Sequence, residues 1–82
     1  MTTSAQVSIY PLRQARLGPA IEAVRAALEA RGLNPQVGSM GTNVTGESDF
    51  IFAALGEAFA RAAGMGQVVM AITVSNACPI TN

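Results

Sequence analysis

An α+β domain is predicted by three features of the sequence. Segments near the two ends alternate with period two, two segments between them repeat apolar residues at helical spacing, and a polar, glycine-rich stretch joins the helical segments. In chain order these give strand, helix, two short strands, helix and strand. At 82 residues the chain has the length of one domain, spanning 1–82.

Gln6-Val7-Ser8-Ile9-Tyr10 puts Val7 and Ile9 on one face and Gln6, Ser8 and Tyr10 on the other. That is a half-polar strand, ended by Pro11, which has no N–H to give a ladder. Leu12 to Leu17 connects it onward and carries Arg13 and Arg16. Gly18-Pro19 opens a helix, because proline at the first helical position loses no hydrogen bond. Leu17, Ile21, Val24 and Leu28 form its apolar stripe; Gly32 suits a left-handed cap, and Pro35 forbids continuation.

Gln36 to Met40 and Thr42 to Gly46 read as a hairpin around Gly41. Ser48 is the expected cap of a second helix, with Asp49 in its first turn. Its expected buried stripe is Ile51, Leu55, Phe59 and Ala62, with Phe52 and Ala58 at the edge, and Gly64-Met65-Gly66 stops it. Gln67 to Asn76 is a last strand with both faces largely apolar, so a cover is expected on each. With no third helix to supply it, the expected cover is another subunit. The order is that of the ferredoxin-like βαββαβ fold: a four-stranded antiparallel sheet with two helices on one face. The first and last strands are expected to pair near the sheet centre.

Composition narrows the function. Half the residues are apolar and 12% are charged, about half the usual share, which favours a homodimer or homotetramer over a bare monomer. The five basic residues are scattered arginines and the net charge is zero, which argues against nucleic acid. No apolar run approaches the ~20 residues of a membrane span, and the first residues lack signal-peptide character, so a cytoplasmic protein is expected. There is no histidine, one cysteine (Cys78, read as a bystander) and no P-loop lysine. A metal centre, an imidazole base and a thiol knuckle are thereby excluded or weak, and no catalytic residue is assigned.

The polar stretch Gly38 to Asp49 holds three of the eight glycines and two of the five acidic residues in an otherwise apolar chain. Within it the pattern Gly-x-Met-x-Thr-x-Val-x-Gly-Glu starts at Gly38, preceded by Val7-Ser8-Ile9-Tyr10-Pro11-Leu12 and followed by Ile72-Thr73-Val74-Ser75. Together these segments resemble the YkoF-like thiamine-binding family, over roughly Ala5 to Pro79. The resemblance implies a ferredoxin-like domain, commonly oligomeric, that in some members binds thiamine or its hydroxymethylpyrimidine moiety without transforming it. The chain departs from relatives with tandem domains, and Gly66-Gln67 stands where many single-domain relatives carry an arginine.

Ser39, Thr42 and Glu47 of the polar stretch, Ser8 and Tyr10 of the first strand, and Ser75 and Asn76 of the last are the candidate ligand-binding residues. Hydroxyls, amides and a carboxylate match the ring nitrogens and exocyclic amine of an aminopyrimidine, and Tyr10 can stack on a flat ring or meet a cation. Each has an ordinary alternative. Glu47, Ser48 and Asp49 also suit a helix start, Ser8 and Tyr10 a subunit interface, and Asn76 a turn. Arg13 and Arg16 would suit a phosphate, or are solvated loop charges. Three readings of function remain open: a non-catalytic carrier or sensor of a small heterocycle, an oligomeric interaction module without a ligand, and a small enzyme of the dimeric α+β barrel type.

Overall fold

The computed structural model of the chain describes residues 1–13 and 16–77. Its elements are β1 (Thr2–Pro11), α1 (Gly18–Ala30), β2 (Gln36–Val37), β3 (Thr42–Glu47), α2 (Ser48–Ala63) and β4 (Val68–Ser75). They form the expected ferredoxin-like arrangement, a four-stranded sheet in the order β2-β3-β1-β4 with every neighbouring pair antiparallel. The expectation for the last strand needs correction: β4 does pair with β1, but β1 alone of the two is interior, and β4 is an edge.

The alternation of β1 sorts its side chains. Thr3, Ala5, Val7 and Ile9 turn inward and are buried with Val44 of β3. Both helices complete this core with Ala20, Val24, Ala27 and Leu28 from α1, and Ile51, Ala54, Leu55, Ala58 and Ala62 from α2. The opposite sheet face carries Gln6, Ser8 and Tyr10, with Asn43 and Thr45 from β3 and Ala71, Thr73 and Ser75 from β4. Among the described residues no helix covers that face.

Two stripe positions fall outside the core. Leu17 precedes α1 and is exposed, and Phe59 is exposed like Phe50 and Phe52, so alanines do most of the helix packing. The small side chains let α1 and α2 pack against each other over much of their length. Ser48 is likewise not a cap: the N-cap is Glu47, without a side-chain capping bond, and the Ser48 N–H donates to the Met1 carbonyl at 2.9 Å.

Helix α1 ends as its sequence requires. Gly32 has φ +78°, its N–H reaches the Glu29 carbonyl at 2.9 Å, and the Leu33 N–H reaches that of Leu28 at 3.2 Å. That pair of bonds is a Schellman motif, which needs a residue free to turn left-handed. Beyond it, Glu57 of α2 accepts from Arg31 at 3.1 Å and from Arg61 at 2.6 Å, tying the helices together at the surface. Arg25 makes a second surface cluster with Glu22 and Glu29. Cys78 lies outside the described residues.

Gly32→Ala should lower stability by about 1 kcal/mol, the cost of a left-handed non-glycine residue, or ~4–8 °C in Tm, with Gly32→Asn costing less. Thermal melts of the three proteins check this. The guanidinium of Arg31, then that of Arg61, holds the Glu57 carboxyl below its ordinary value of 4.5. A depressed carboxyl stabilises the fold above that value and loses its contribution as pH falls through the folded one. Urea midpoints measured from pH 7 to pH 3 should therefore fall less steeply on acidification in Glu57→Gln than in the unmodified protein.

Candidate functional site

The site follows from unequal strand lengths. The β1–β3 ladder stops at Val7↔Thr42, whereas the β1–β4 ladder runs on to Pro11↔Val68. On its hairpin side, β1 from Ser8 to Pro11 therefore has no strand neighbour. The Leu12 N–H donates to the Gln67 carbonyl at 2.8 Å, which fixes the alternation: even-numbered residues of β1 turn their backbone groups toward β4 and odd-numbered ones toward β3. The Ser48-to-Met1 bond at the other end gives the same parity. The Ile9 N–H and C=O thus face the hairpin side, beyond the last β3 partner. Pro11 faces the same way, so its missing N–H costs the ladder nothing.

The loop between β2 and β3 bends over this gap. β2 has only two residues in place of the five expected, and Gly38-Ser39-Met40-Gly41 forms a turn closed by the Gly38 N–H on the Gly41 carbonyl at 2.9 Å. The Ser8 hydroxyl donates to the Met40 carbonyl at 3.1 Å and pins the loop to β1. Gly41 has φ +148°, and a Cβ there would stand 2.8 Å from the Val7 carbonyl oxygen and 3.0 Å from the Ser8 hydroxyl. Only glycine permits this approach.

A cleft of about 260 Å³ results, bounded by β1 from Val7 to Tyr10, the loop from Gly38 to Thr42, and Leu17 and Ile21 at the start of α1. Four of the seven candidate residues line it: Ser8, Tyr10, Ser39 and Thr42. Leu17, exposed as a core residue, finds its place here. The remaining contributors, Val7, Ile9, Ile21, Gly38, Met40 and Gly41, carry no polar side chain, so composition alone gave no reason to pick them. The expected first strand, Gln6 to Tyr10, is no longer than the expected hairpin strands, so its length does not signal the gap that β1 (Thr2–Pro11) leaves beside the hairpin with its two-residue β2. No ionisable group other than the Tyr10 phenol is among these described lining residues.

Glu47, Ser75 and Asn76 are elsewhere. Glu47 lies opposite Thr2 and Ser75 opposite Ser4, whereas the cleft begins at Val7 and Ser8. Four residues of strand, about 13 Å, separate Ser75's partner from Ser8. The Glu47 carboxylate accepts from the Met1 ammonium at 2.8 Å, which lowers its pKa and raises that of the amine. The Ser75 hydroxyl accepts from the Ala77 N–H at 3.1 Å, and the Asn76 amide donates to the Met1 sulfur. A second, shallower hollow adjoins Glu47, lined by Met1, Ser48, Asp49 and Phe50. The seven residues therefore divide between two ends of β1.

On the open sheet face, Gln36, Asn43, Gln6 and Thr73 align across all four strands. The Asn43 side-chain oxygen is buried there with no partner among the described residues. No group of three or more potential metal ligands occurs among the described residues, and no helix is long and apolar enough to cross a membrane.

Fold and cleft together define a ferredoxin-like α+β protein with an uncharged recess between its first strand and its hairpin loop. Residues 5–77 match the family model described as thiamine-binding protein, and the chain belongs to that family. No curated protein sequence matches it. Among solved structures it is similar to a hypothetical protein from Methanocaldococcus jannascii, with a TM-score of 0.84 at 24% identity over 99% of this chain and 86% of that one. A protein from Streptococcus pneumoniae gives 0.83 at 25% identity, covering 92% of this chain and 86% of the other. A proposed thiamine biosynthesis/salvage protein from Thermotoga maritima gives 0.82 at 20% identity, covering 99% and 90%.

Gly41→Ala should cost about 2 kcal/mol or more, since the clash is with backbone and the φ is strained. Gly18→Ala, which meets nothing within 4 Å, should be close to neutral. Chemical denaturation of both variants checks the contrast.

Proposed function

We propose that this protein binds thiamine, or its hydroxymethylpyrimidine moiety, in the cleft and does not transform it. Membership of the thiamine-binding family is the observation that carries the reading. The description of the Thermotoga maritima neighbour as a proposed thiamine biosynthesis/salvage protein accords with it.

The cleft's chemistry supports the pyrimidine end as the part held. An aminopyrimidine offers an amine donor beside a ring-nitrogen acceptor. The Ile9 backbone supplies a carbonyl and an N–H on the hairpin side of β1, and Ser8, Ser39 and Thr42 add hydroxyls around the same recess. Tyr10 gives a face on which a flat ring stacks. Size agrees: about 260 Å³ is below the ~300–1,000 Å³ of pockets that enclose a whole drug-sized ligand. A pyrimidine fits within one chain, and the thiazolium end then projects outward. Binding without catalysis is consistent with a cleft whose described lining has no carboxylate, amine or imidazole to move a proton.

Calorimetric titration with thiamine, with hydroxymethylpyrimidine and with the thiazole half alone is the test. The first two should bind and the third should not, and Tyr10→Ala should weaken binding about tenfold through lost stacking. Absence of heat and of any thermal shift with thiamine and hydroxymethylpyrimidine, in a protein shown to be folded, would overturn the proposal.

A further inference from the structure

Three large apolar side chains stand in solvent around one opening. Tyr10 is 53% exposed, Leu17 48% and Met40 80%, and all three line the cleft. Single exposed apolar residues are ordinary, but several gathered on one recess mark a place that something covers.

The strand places them on two sides of the sheet plane. Odd-numbered β1 residues turn their side chains toward the helices, and even-numbered ones toward the open face. The Ile9 N–H and C=O lie between, in the plane of the sheet, on the flank where β3 has stopped. Leu17 and Ile21, at the start of α1, belong to the helix side. Met40 belongs to the other side. Its carbonyl accepts from the Ser8 hydroxyl at 3.1 Å, and Ser8 projects from the open face as Tyr10 does.

A flat ring bonded to the Ile9 edge lies in the sheet plane, as a further strand would. One of its faces then looks toward Leu17 and Ile21, and the other toward Tyr10 and Met40. Ile9 stands midway between Ser8 and Tyr10, about 3.4 Å along the strand from each. A ring centred on its N–H and C=O therefore has Met40 to one side and Tyr10 to the other.

Met40 combines a fixed backbone with a free side chain. The Ser8 hydroxyl holds its carbonyl, and the Gly38 N–H closes the turn on the Gly41 carbonyl at 2.9 Å. Gly41 approaches the Val7 carbonyl more closely than any Cβ allows. The side chain beyond this anchor is left to solvent. Methionine is unbranched, turns about three bonds and carries a polarizable thioether that contacts aromatic rings favourably. A ring on the Ile9 edge gives that thioether a surface to lie on.

We infer that Met40 is the cover of the cleft. Its side chain folds from solvent onto the open-face side of a bound aminopyrimidine, and the ring is held between Met40 and the wall of Leu17 and Ile21. This rests on the reading that the cleft takes the pyrimidine, and it adds an order of events. The Ile9 edge and the apolar wall stand ready beforehand, whereas Met40 closes only once a ring is seated. Its contact therefore acts on departure more than on arrival. It also sets what the site rejects. A thioether is a weak acceptor and no donor, so the covered face favours a flat unsaturated ring over a saturated one whose substituents would hold the cover off.

NMR of the protein with methionine isotope-labelled at its methyl groups, titrated with hydroxymethylpyrimidine and paired with calorimetry, tests this. The chain has four methionines, and the signal missing from Met40→Leu is that of Met40. It should move upfield, as a group over a ring face does, while that of Met65, beyond the end of α2, stays in place. Met40→Ala should bind about fivefold more weakly, nearly all of it as faster dissociation in stopped flow, and Met40→Leu should lose less. Both variants should melt close to the unmodified protein, because the side chain they change is exposed. Heat without movement of the Met40 methyl, or a folded Met40→Ala that binds as tightly as the unmodified protein, would overturn the inference and leave binding itself standing. No heat with hydroxymethylpyrimidine or with thiamine would overturn both. If Met40→Ala fails to fold, the methyl shift in the unmodified protein decides.

Discussion

Unequal pairing along β1 is the constraint on which most of this structure depends. A strand of ten residues stands between one of six and one of eight, and the two ladders cover different parts of it. Where both are present, near Ser4 to Val7, the sheet is at its most complete and the core beneath it most fully buried. Where only β4 accompanies it, backbone groups and one flank of the strand remain open, and the hairpin loop arches over them. The cleft is what an interior strand leaves when one neighbour stops early.

Holding that loop in place takes little. One hydroxyl on one carbonyl and one residue without a Cβ set its distance from β1. Ser8 and Gly41 are therefore framework as much as lining. The energetic weight sits below, in a core made mostly of alanine, valine, leucine and isoleucine from two closely packed helices and β1. Alanine stands where larger residues are common, and the three phenylalanines lie outward. An oily exterior is the counterpart of a thin interior.

Much of the fold was legible because the strands and helices carry clear periods and the breaks fall at glycine and proline. Gly32 and Pro35 marked the end of α1, and alternation in β1 sorted Val7 and Ile9 from Ser8 and Tyr10 correctly. Phe59 misled because periodicity reports spacing and not where the buried face is centred: Ile51, Leu55, Ala58 and Ala62 hold it, and Phe59 stands one position past Ala58, outside it. Ser48 misled because β3 runs on to Glu47, which takes the N-cap position, and leaves Ser48 as the first helical residue with its N–H on the Met1 carbonyl. The candidate site was half legible. Ser8, Tyr10, Ser39 and Thr42 converge, but Glu47, Ser75 and Asn76 belong to the far end of β1, a separation set by strand register that residue type does not encode. Ile9 and Leu17 escaped notice because what they offer is a backbone edge and an apolar wall.

The absence of a charged side chain among the described residues that line the cleft carries a consequence for selectivity. A recess of hydroxyls, backbone groups and one phenol has nothing with which to weigh a distant charge on what it holds. A compound gripped there by a neutral ring can bear one phosphate, two or none at its other end at little electrostatic cost or gain, the more so once salt screens charges beyond ~8–10 Å. Discrimination among such forms would have to come from elsewhere, and Arg13 and Arg16 lie in the segment between β1 and α1, close in sequence to Tyr10 and Leu17 of the cleft.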